Sequence, residues 1–274
     1  MLSYRHAFHA GNYADVLKHI VLSKCIQYLL KKDAPITYID THAGAGCYSL
    51  TNAMAQKTEE HKEGIQRIEK ALLRDIDSEY AELIQTYNDK QQYPGSPEIA
   101  KKILRKKDLL HLFELHPTDF HLLQNHFSAN KNVIPHNADG YTNVLPLLPT
   151  KGRRALILID PSYELKNEYQ QLINTISNAY KRMPNAVFLI WYPVVNRITI
   201  EKTIQKIRNN NIRDVWRYEL GLQDDTEGYG MTSSGMLVIN GPWTLAKDME
   251  NILPKLANSF GSQSVWKCGR VCEE

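Results

Sequence analysis

The chain has 274 residues, 43% hydrophobic and 23% charged, with 14 Gly, 12 Pro and 4 Cys. This composition excludes collagen, low-complexity disorder and a disulfide scaffold, and the length suits one large domain or a core domain carrying an insertion. Thirty-three basic against 30 acidic residues leave a net charge of +3, which permits nucleic-acid binding without arguing for it.

The longest apolar runs, Ala155 to Ile159 and Ala186 to Trp191, fall far short of the roughly 20 residues needed to cross a bilayer. Arg5, Asp15, Lys18 and Lys24 break up what would have to be an apolar signal core, so the chain reads as a cytoplasmic protein. Cys25, Cys47, Cys268 and Cys272 are scattered. A structural zinc site needs two close ligand pairs, so these read as incidental thiols, with a terminal C-x3-C device as the alternative.

Taken in chain order, Val16, Leu17, Ile20, Val21, Leu29 and Leu30 recur at helical spacing behind Asn12, which predicts a capped helix over Ala14 to Leu30. Short apolar runs ending in polar residues predict strands at Ile36 to Asp40, Leu109 to Glu114, Ala155 to Asp160 and Ala186 to Tyr192, with further strands at Val133 to His136, Val215 to Leu220 and Gly235 to Asn240. Helical patterns lie between several of them, notably at Tyr169 to Lys181 and Ile198 to Asn209. The alternation implies a doubly wound, mostly parallel α/β sheet, whose ligands sit at the carboxyl ends of the strands. Residues 52–92 are charged and helical and read as an inserted helical subdomain, with 1–51 and 93–274 forming the main domain.

The first predicted strand runs into Thr41-His42-Ala43-Gly44-Ala45-Gly46, a turn whose glycines let backbone approach a ligand. A dinucleotide fingerprint and an adenosylmethionine turn both fit it. The former is weakened because its third glycine would fall on Ser49 and no strand-terminal acid follows about 20 residues later. Glu114 closes the next strand, where an acid is placed to accept ribose hydroxyls. Asp139-Gly140 follows the third strand, either as an acceptor for an adenine amino group or as a plain turn. Leu156-Ile157-Leu158-Ile159-Asp160-Pro161-Ser162-Tyr163 delivers a carboxylate, a proline carbonyl and an aromatic ring within four residues. Such a set suits methylation of an exocyclic amine: Asp160 and the Pro161 carbonyl accept the amine hydrogens, and Tyr163 stacks on the base. His6-x2-His9 suggests a metal pair but lacks thiolate or carboxylate company in sequence, so hydrogen-bonding and RNA-contact roles are expected there and no metal. Lys101, Lys102, Arg105, Lys106 and Lys107 either track phosphates or form a solvated helix face.

Together MLSYRHAFHAGNYADVLKH at the start of the chain, DTHAGAG, YPGSP, ELHP, ADG, LILIDPSYE, LIWYPV and GMTSSGMLVIN resemble the bacterial 23S rRNA adenine-N6-methyltransferase family called methyltransferase J. The resemblance covers nearly the whole chain and is weakest over 52–92. It implies a Rossmann-like class I methyltransferase fold, S-adenosylmethionine as donor, no metal, and an adenine of 23S rRNA, adenine 2030 in the family's numbering, as acceptor. By that resemblance Lys18, His19, His42, Gly44, Gly46, Ser96, Glu114, Asp139, Gly140 and Asp160 face the donor, Asp160 stands at the reacting amine, and Tyr4 and His6 contact RNA. It further implies a monomer without an obligate protein partner. Two positions depart from the family pattern: Ser162 where Asp-Pro-Pro-Tyr is usual, and Gly241 where Asn-Pro-Pro-Trp is usual. A DNA adenine methyltransferase and a catalytically silent RNA-binding assembly factor are the rival readings.

Overall fold

The computed structural model describes residues 4–165, 167–226 and 230–272. The predicted helix forms at Tyr13–Leu30, and the Asn12 side chain caps it by accepting from Asp15 N at 2.9 Å. Val16, Leu17, Ile20, Val21 and Leu22 are fully buried, so the helix is apolar on more than one side. It lies between the sheet and the helix Ser96–Ile103.

The described strands are β1 (Thr37–Asp40), β2 (Cys47–Ser49), β3 (Gln92–Pro94), β4 (Leu109–Phe113), β5 (Val133–His136), β6 (Ala155–Ile159), β7 (Val187–Val194), β8 (Val215–Gly221), β9 (Ser233–Ile239) and β10 (Val265–Cys272). Eight of them form one sheet in the order β10-β8-β9-β7-β6-β1-β4-β5, while β2 and β3 pair separately. The pairs β5–β4, β4–β1, β1–β6 and β6–β7 are parallel; β9 runs antiparallel to both β7 and β8, and β10 antiparallel to β8. Both faces are covered, and period-two side-chain alternation sorts each strand between them. On β6, for example, Leu156 and Leu158 enter the core shared with the Tyr13–Leu30 helix, whereas Ala155, Ile157 and Ile159 enter the core under the helices Glu168–Arg182 and Arg197–Asn209.

The strands β2 and β3, the helix Leu245–Phe260 and β10 were not foreseen. Between β2 and β3 run the helices Ala53–Thr58, Glu60–Glu63, Lys70–Ile76 and Ser78–Asn88. Their buried Leu73, Ile76, Tyr80 and Ile84 belong to the same core cluster as Val16 and Leu17. Among the described residues, no helix is long and apolar enough to cross a membrane.

The chain leaves β1 for β4 and β5 on one side and returns to β6 and β7 on the other. This reversal opens a crevice at the carboxyl ends of β1 and β6, the place where open α/β sheets bind ligands. Thr41 N donates to Leu158 O across it at 3.0 Å.

Candidate active site

Four strand ends and the amino-terminal helix meet in a cleft of about 310 Å³ at this switch point. The turn after β1 forms its floor. Gly44 has φ +59°, and a Cβ there would come within 2.1 Å of the Tyr48 hydroxyl, so both conformation and space require glycine. Gly140 is required for space alone, because a Cβ would meet Thr41 O at 2.1 Å.

Beneath the turn, Asp40 is fully buried. Its Oδ2 accepts from the Tyr38 hydroxyl at 2.8 Å and the Ser96 hydroxyl at 2.7 Å, and Oδ1 accepts from His42 N at 3.2 Å. Burial outweighs these hydrogen bonds and pushes its carboxyl up to about 6. At the end of β4, Glu114 ties the glycine turn to its own loop, accepting from Gly44 N at 2.9 Å and His116 N at 2.6 Å. Burial, reinforced by the Asp119 and Asp40 carboxylates against those two hydrogen bonds, pushes Glu114 up to about 7. His42 pairs with the Thr41 hydroxyl at 2.8 Å and meets the Tyr141 ring edge-on at 4.8 Å. Burial lowers its pKa to about 4, so the ring is neutral at physiological pH. Asp139 caps the short helix Gly140–Asn143, its side chain accepting from Tyr141 N and the Thr142 hydroxyl at 3.0 Å each.

On the opposite wall, Lys18 donates to Asp160 Oδ2 at 2.5 Å and reaches Asp15 Oδ1 at 2.8 Å. Burial disfavours the ammonium, but the two carboxylates outweigh it and hold the Lys18 pKa above its usual value. This pairing turns Asp160 and leaves its Oδ1 without a hydrogen bond among the described residues. Asp15 Oδ2 in turn meets Gly11 N and His6 Nε2 at 2.9 Å each, and His6 Nδ1 meets the Tyr4 hydroxyl at 2.9 Å. A continuous chain of polar contacts thus links Tyr4 through His6, Asp15 and Lys18 to Asp160. The amino-terminal segment lines the cleft through Tyr4 and His6 and is held there by Arg5, forked onto Asp119 at 2.8 and 2.9 Å, and by Tyr4 N, which donates to Glu164 at 3.2 Å. His19 is buried and neutral: Nδ1 pairs with the Tyr93 hydroxyl at 2.9 Å, and Nε2 has no partner among the described residues.

Tyr4, His6, Lys18, His19, His42, Gly44, Ser96, Glu114, Asp139, Gly140 and Asp160 all line this cleft. Gly46, Pro161 and Tyr163 do not, although Ser162 does. Tyr163, at φ +55°, turns its ring onto Tyr169 at 4.6 Å and Trp191 at 5.8 Å and donates its hydroxyl to Trp191 O at 2.7 Å. It braces the loop from behind, which differs from the free stacking face expected of it. His9 pairs with Glu60 at 2.8 Å and stacks on Tyr4. Among the described residues, no group of three His, Cys, Asp or Glu side chains is arranged to hold a metal ion. Sequence reasoning missed Asp15, Asp119 and the buried role of Asp40. For Asp15 the signal was present, an acid three positions before a lysine within a run of apolar helix.

The parallel sheet with an antiparallel β9 between β7 and β8, carrying its cleft at the β1–β6 switch point, is that of a Rossmann-like class I methyltransferase. The profile of the family described as "Ribosomal RNA large subunit methyltransferase D, RlmJ" matches residues 33–269. Two proteins named ribosomal RNA large subunit methyltransferase J are similar to the chain. That of Escherichia coli (strain K12) is 45% identical over 261 residues, 93% of each chain; that of Haemophilus influenzae is 44% identical over 266 residues, 95% of this chain and 94% of the relative. A crystal structure of a Legionella pneumophila protein superposes with a TM-score of 0.85 at 38% identity, covering 96% of this chain and 98% of that one. The chain belongs to the ribosomal RNA large subunit methyltransferase J family and is a methyltransferase.

Proposed function

We propose that this protein uses S-adenosylmethionine to methylate N6 of an adenine in 23S rRNA, adenine 2030 in the family's numbering, in the cytoplasm and as a single chain. The observation that carries the reading is the Asp160 carboxylate at the switch point of a methyltransferase sheet, lining the cleft and held there by a buried lysine through one oxygen. The lining suits the donor: Glu114, Asp119, Asp139, Asp160, Glu164 and Glu168 line the cleft, and although Arg5 pairs with Asp119 and Lys18 with Asp160, acidic side chains outnumber basic ones, which favours a small cation over a phosphate. S-adenosylmethionine supplies, when bound, a methyl group on sulfonium sulfur, already activated for transfer.

In this reading His19, His42, Gly44, Ser96, Glu114, Asp139 and Gly140 hold the donor, Glu114 accepting from its ribose hydroxyls. Asp160 Oδ1 accepts a hydrogen bond from the exocyclic amine and later its surplus proton. The conjugated amine must become pyramidal to react, so an acceptor aimed at its hydrogens helps most during that change. Lys18 orients Asp160, and Tyr4, at the other end of the polar chain and also lining the cleft, meets the incoming base. Alignment of donor and amine can contribute on the order of 7 to 11 kcal/mol. In the same proposal, residues 52–92 form a helical subdomain appended to a main domain of 1–51 and 93–274.

Incubation of the purified protein with labelled donor and 23S rRNA fragments, followed by nucleoside mass spectrometry, tests the reading. Labelled N6-methyladenosine in RNA is expected. Transfer to DNA alone would favour a DNA methyltransferase, and no transfer with no donor binding would favour a silent RNA-binding factor.

Glu114 adds a pH dependence. With its carboxyl at about 7 in the free protein, the ionised form that accepts hydroxyls dominates above that pH and is lost below it. Donor affinity is therefore expected to weaken as pH falls from 8 to 6, approaching tenfold per unit on the acid side. Glu114→Gln should flatten this dependence and weaken binding at pH 8 by about tenfold to 100-fold, the worth of charged hydrogen bonds. Calorimetry across that range checks both; a variant that binds like wild type at pH 8 would remove Glu114 from the donor site.

A further inference from the structure

The acidic cleft poses a question about RNA affinity. Its lining carries six acidic side chains, of which Asp119 and Asp160 pair with Arg5 and Lys18 and Glu114 is pushed up to about 7, so it offers a phosphate backbone little attraction, and a basic surface elsewhere on the molecule would supply more. The opposite end of the sheet supplies it. The loops at the amino ends of the parallel strands, together with the turn after β9 (residues 31–36, 104–108, 128–132, 148–154, 183–186, 210–214 and 240–244), carry ten basic residues and three acidic ones, Asp33, Asp108 and Asp214. The chain as a whole is only +3, so its positive charge is segregated to this end and the remainder is net negative. The basic run singled out in the sequence delivers Arg105, Lys106 and Lys107 here.

Part of that charge is neutralised locally. Lys107 pairs with Asp33, and Arg105 with Asp108 at 3.0 Å. Lys32, Lys106, Lys151 and Arg153 are exposed and make no ion pair among the described residues. Lys31, Lys32 and Arg153 line a groove of about 480 Å³ together with Tyr28, Leu29 and Trp243. Trp243 is 81% exposed, the most exposed large apolar side chain among the described residues. Its loop is fixed rather than loose: the Asn240 side chain donates to Pro184 O at 2.6 Å and Ala186 O at 2.8 Å, and Asn240 N donates to Asp214 O at 3.1 Å. An indole held out in water on the same groove as Lys32 and Arg153, which make no ion pair among the described residues, and Lys31, whose ammonium lies over the Tyr28 ring at 5.1 Å, is the composition of a stacking platform with phosphate contacts.

We propose that this amino-end face is a second RNA-docking surface, on which an unpaired base of the substrate RNA stacks on Trp243 while flanking phosphates meet Lys31, Lys32 and Arg153. This rests on the reading of the protein as an rRNA methyltransferase. Arg153 and Asp160 lie at opposite ends of β6, roughly 20 Å apart at about 3.3 Å per residue. A minimal hairpin carrying the target adenine therefore fills the cleft without reaching this face, whereas a longer rRNA segment engages both.

The test compares Trp243→Ala and the double variant Lys32→Glu/Arg153→Glu with wild type, on a minimal hairpin and on a long 23S fragment. Binding is followed by fluorescence anisotropy over a salt series, and methyl transfer is measured in parallel. For the long fragment, Trp243→Ala is expected to bind about tenfold more weakly, and the double variant to lose roughly 1.5 from the slope of log affinity against log salt. Transfer to the minimal hairpin and donor binding should stay at wild-type levels, which also shows that the variants are folded. Wild-type affinity and slope for the long fragment in both variants would overturn the proposal and leave the face to an acidic protein partner. If wild-type protein binds the long fragment through these residues but transfers no methyl group, the function reading fails while the docking surface stands.

Discussion

Replacing Asp160 by alanine is expected to lower the single-turnover rate of methyl transfer about 10²-fold to 10³-fold, the usual cost of losing one oriented polar group that acts in the transition state. Asp160 lines the cleft, and with Oδ2 tied to Lys18 at 2.5 Å its Oδ1 has no hydrogen bond among the described residues. The acceptor is needed most as the amine changes shape, so donor affinity should change far less than rate. Asp160→Asn keeps a carbonyl acceptor and should retain more activity than alanine. Single-turnover transfer to a 23S fragment, run beside calorimetric titration of the donor, separates the two quantities. Near-normal transfer by folded Asp160→Ala would remove this carboxylate from the reaction, whatever the family membership.

Lys18→Met should produce the largest loss of stability of any substitution in the cleft. The side chain is 5% exposed and bridges Asp15 and Asp160, themselves 1% and 13% exposed. Removing one member of a buried ionic network strands the others without a counter-charge, at about 3 to 5 kcal/mol. At about 2 to 4 °C per kcal/mol for a chain of this size, the melting temperature should fall by about 10 °C. The pH dependence has a definite sign. Burial raises the Asp15 carboxyl, but His6 and Lys18 overcome this and hold it well below 3.8. A depressed carboxylate stabilises the fold above its unfolded value, and that stability is lost as pH falls through the folded one. The gap between wild type and Lys18→Met should therefore be full at neutral pH and narrow below about pH 4. Scanning calorimetry at pH 7.5 and 3.5 reads it, and an equal melting temperature at pH 7.5 would mean that the lysine does not stabilise these carboxylates.

The predicted elements that form share one property, which is that their cause is local. The helix Tyr13–Leu30 follows from apolar spacing and the Asn12 cap, and β1, β4, β6 and β7 follow from apolar runs that only a sheet covered on both faces would bury. Their polar carboxyl ends already placed His42, Glu114 and Asp160 together, because a parallel α/β sheet brings successive strand ends to one edge. By contrast, β2 and β3 are three-residue strands with no periodicity to detect, and β10 is an edge strand that alternates weakly and exists through its pairing with β8. Their existence depends on partners distant in sequence.

The same division runs through the cleft. Residue types at strand ends were determined by the sequence alone, and so were the fold class and the methyltransferase pattern of glycine turn, acid and Asp-Pro. Partnerships were decided only by the tertiary structure. Lys18 and Asp160 lie 142 positions apart, Arg5 and Asp119 lie 114 apart, and Ser96 and Asp40 lie 56 apart, and nothing in local spacing selects those pairs. Tyr163 shows the limit most clearly. Its aromatic type was legible, but its direction was set by a left-handed turn at φ +55° and by Tyr169 and Trp191, which reach it from the next helix and the next strand. The segregation of charge likewise appears only on folding, because loops scattered from residue 31 to residue 244 become neighbours at one end of the sheet. Long-range pairing of this kind is a property of topology, and a chain read residue by residue carries its ingredients without their arrangement.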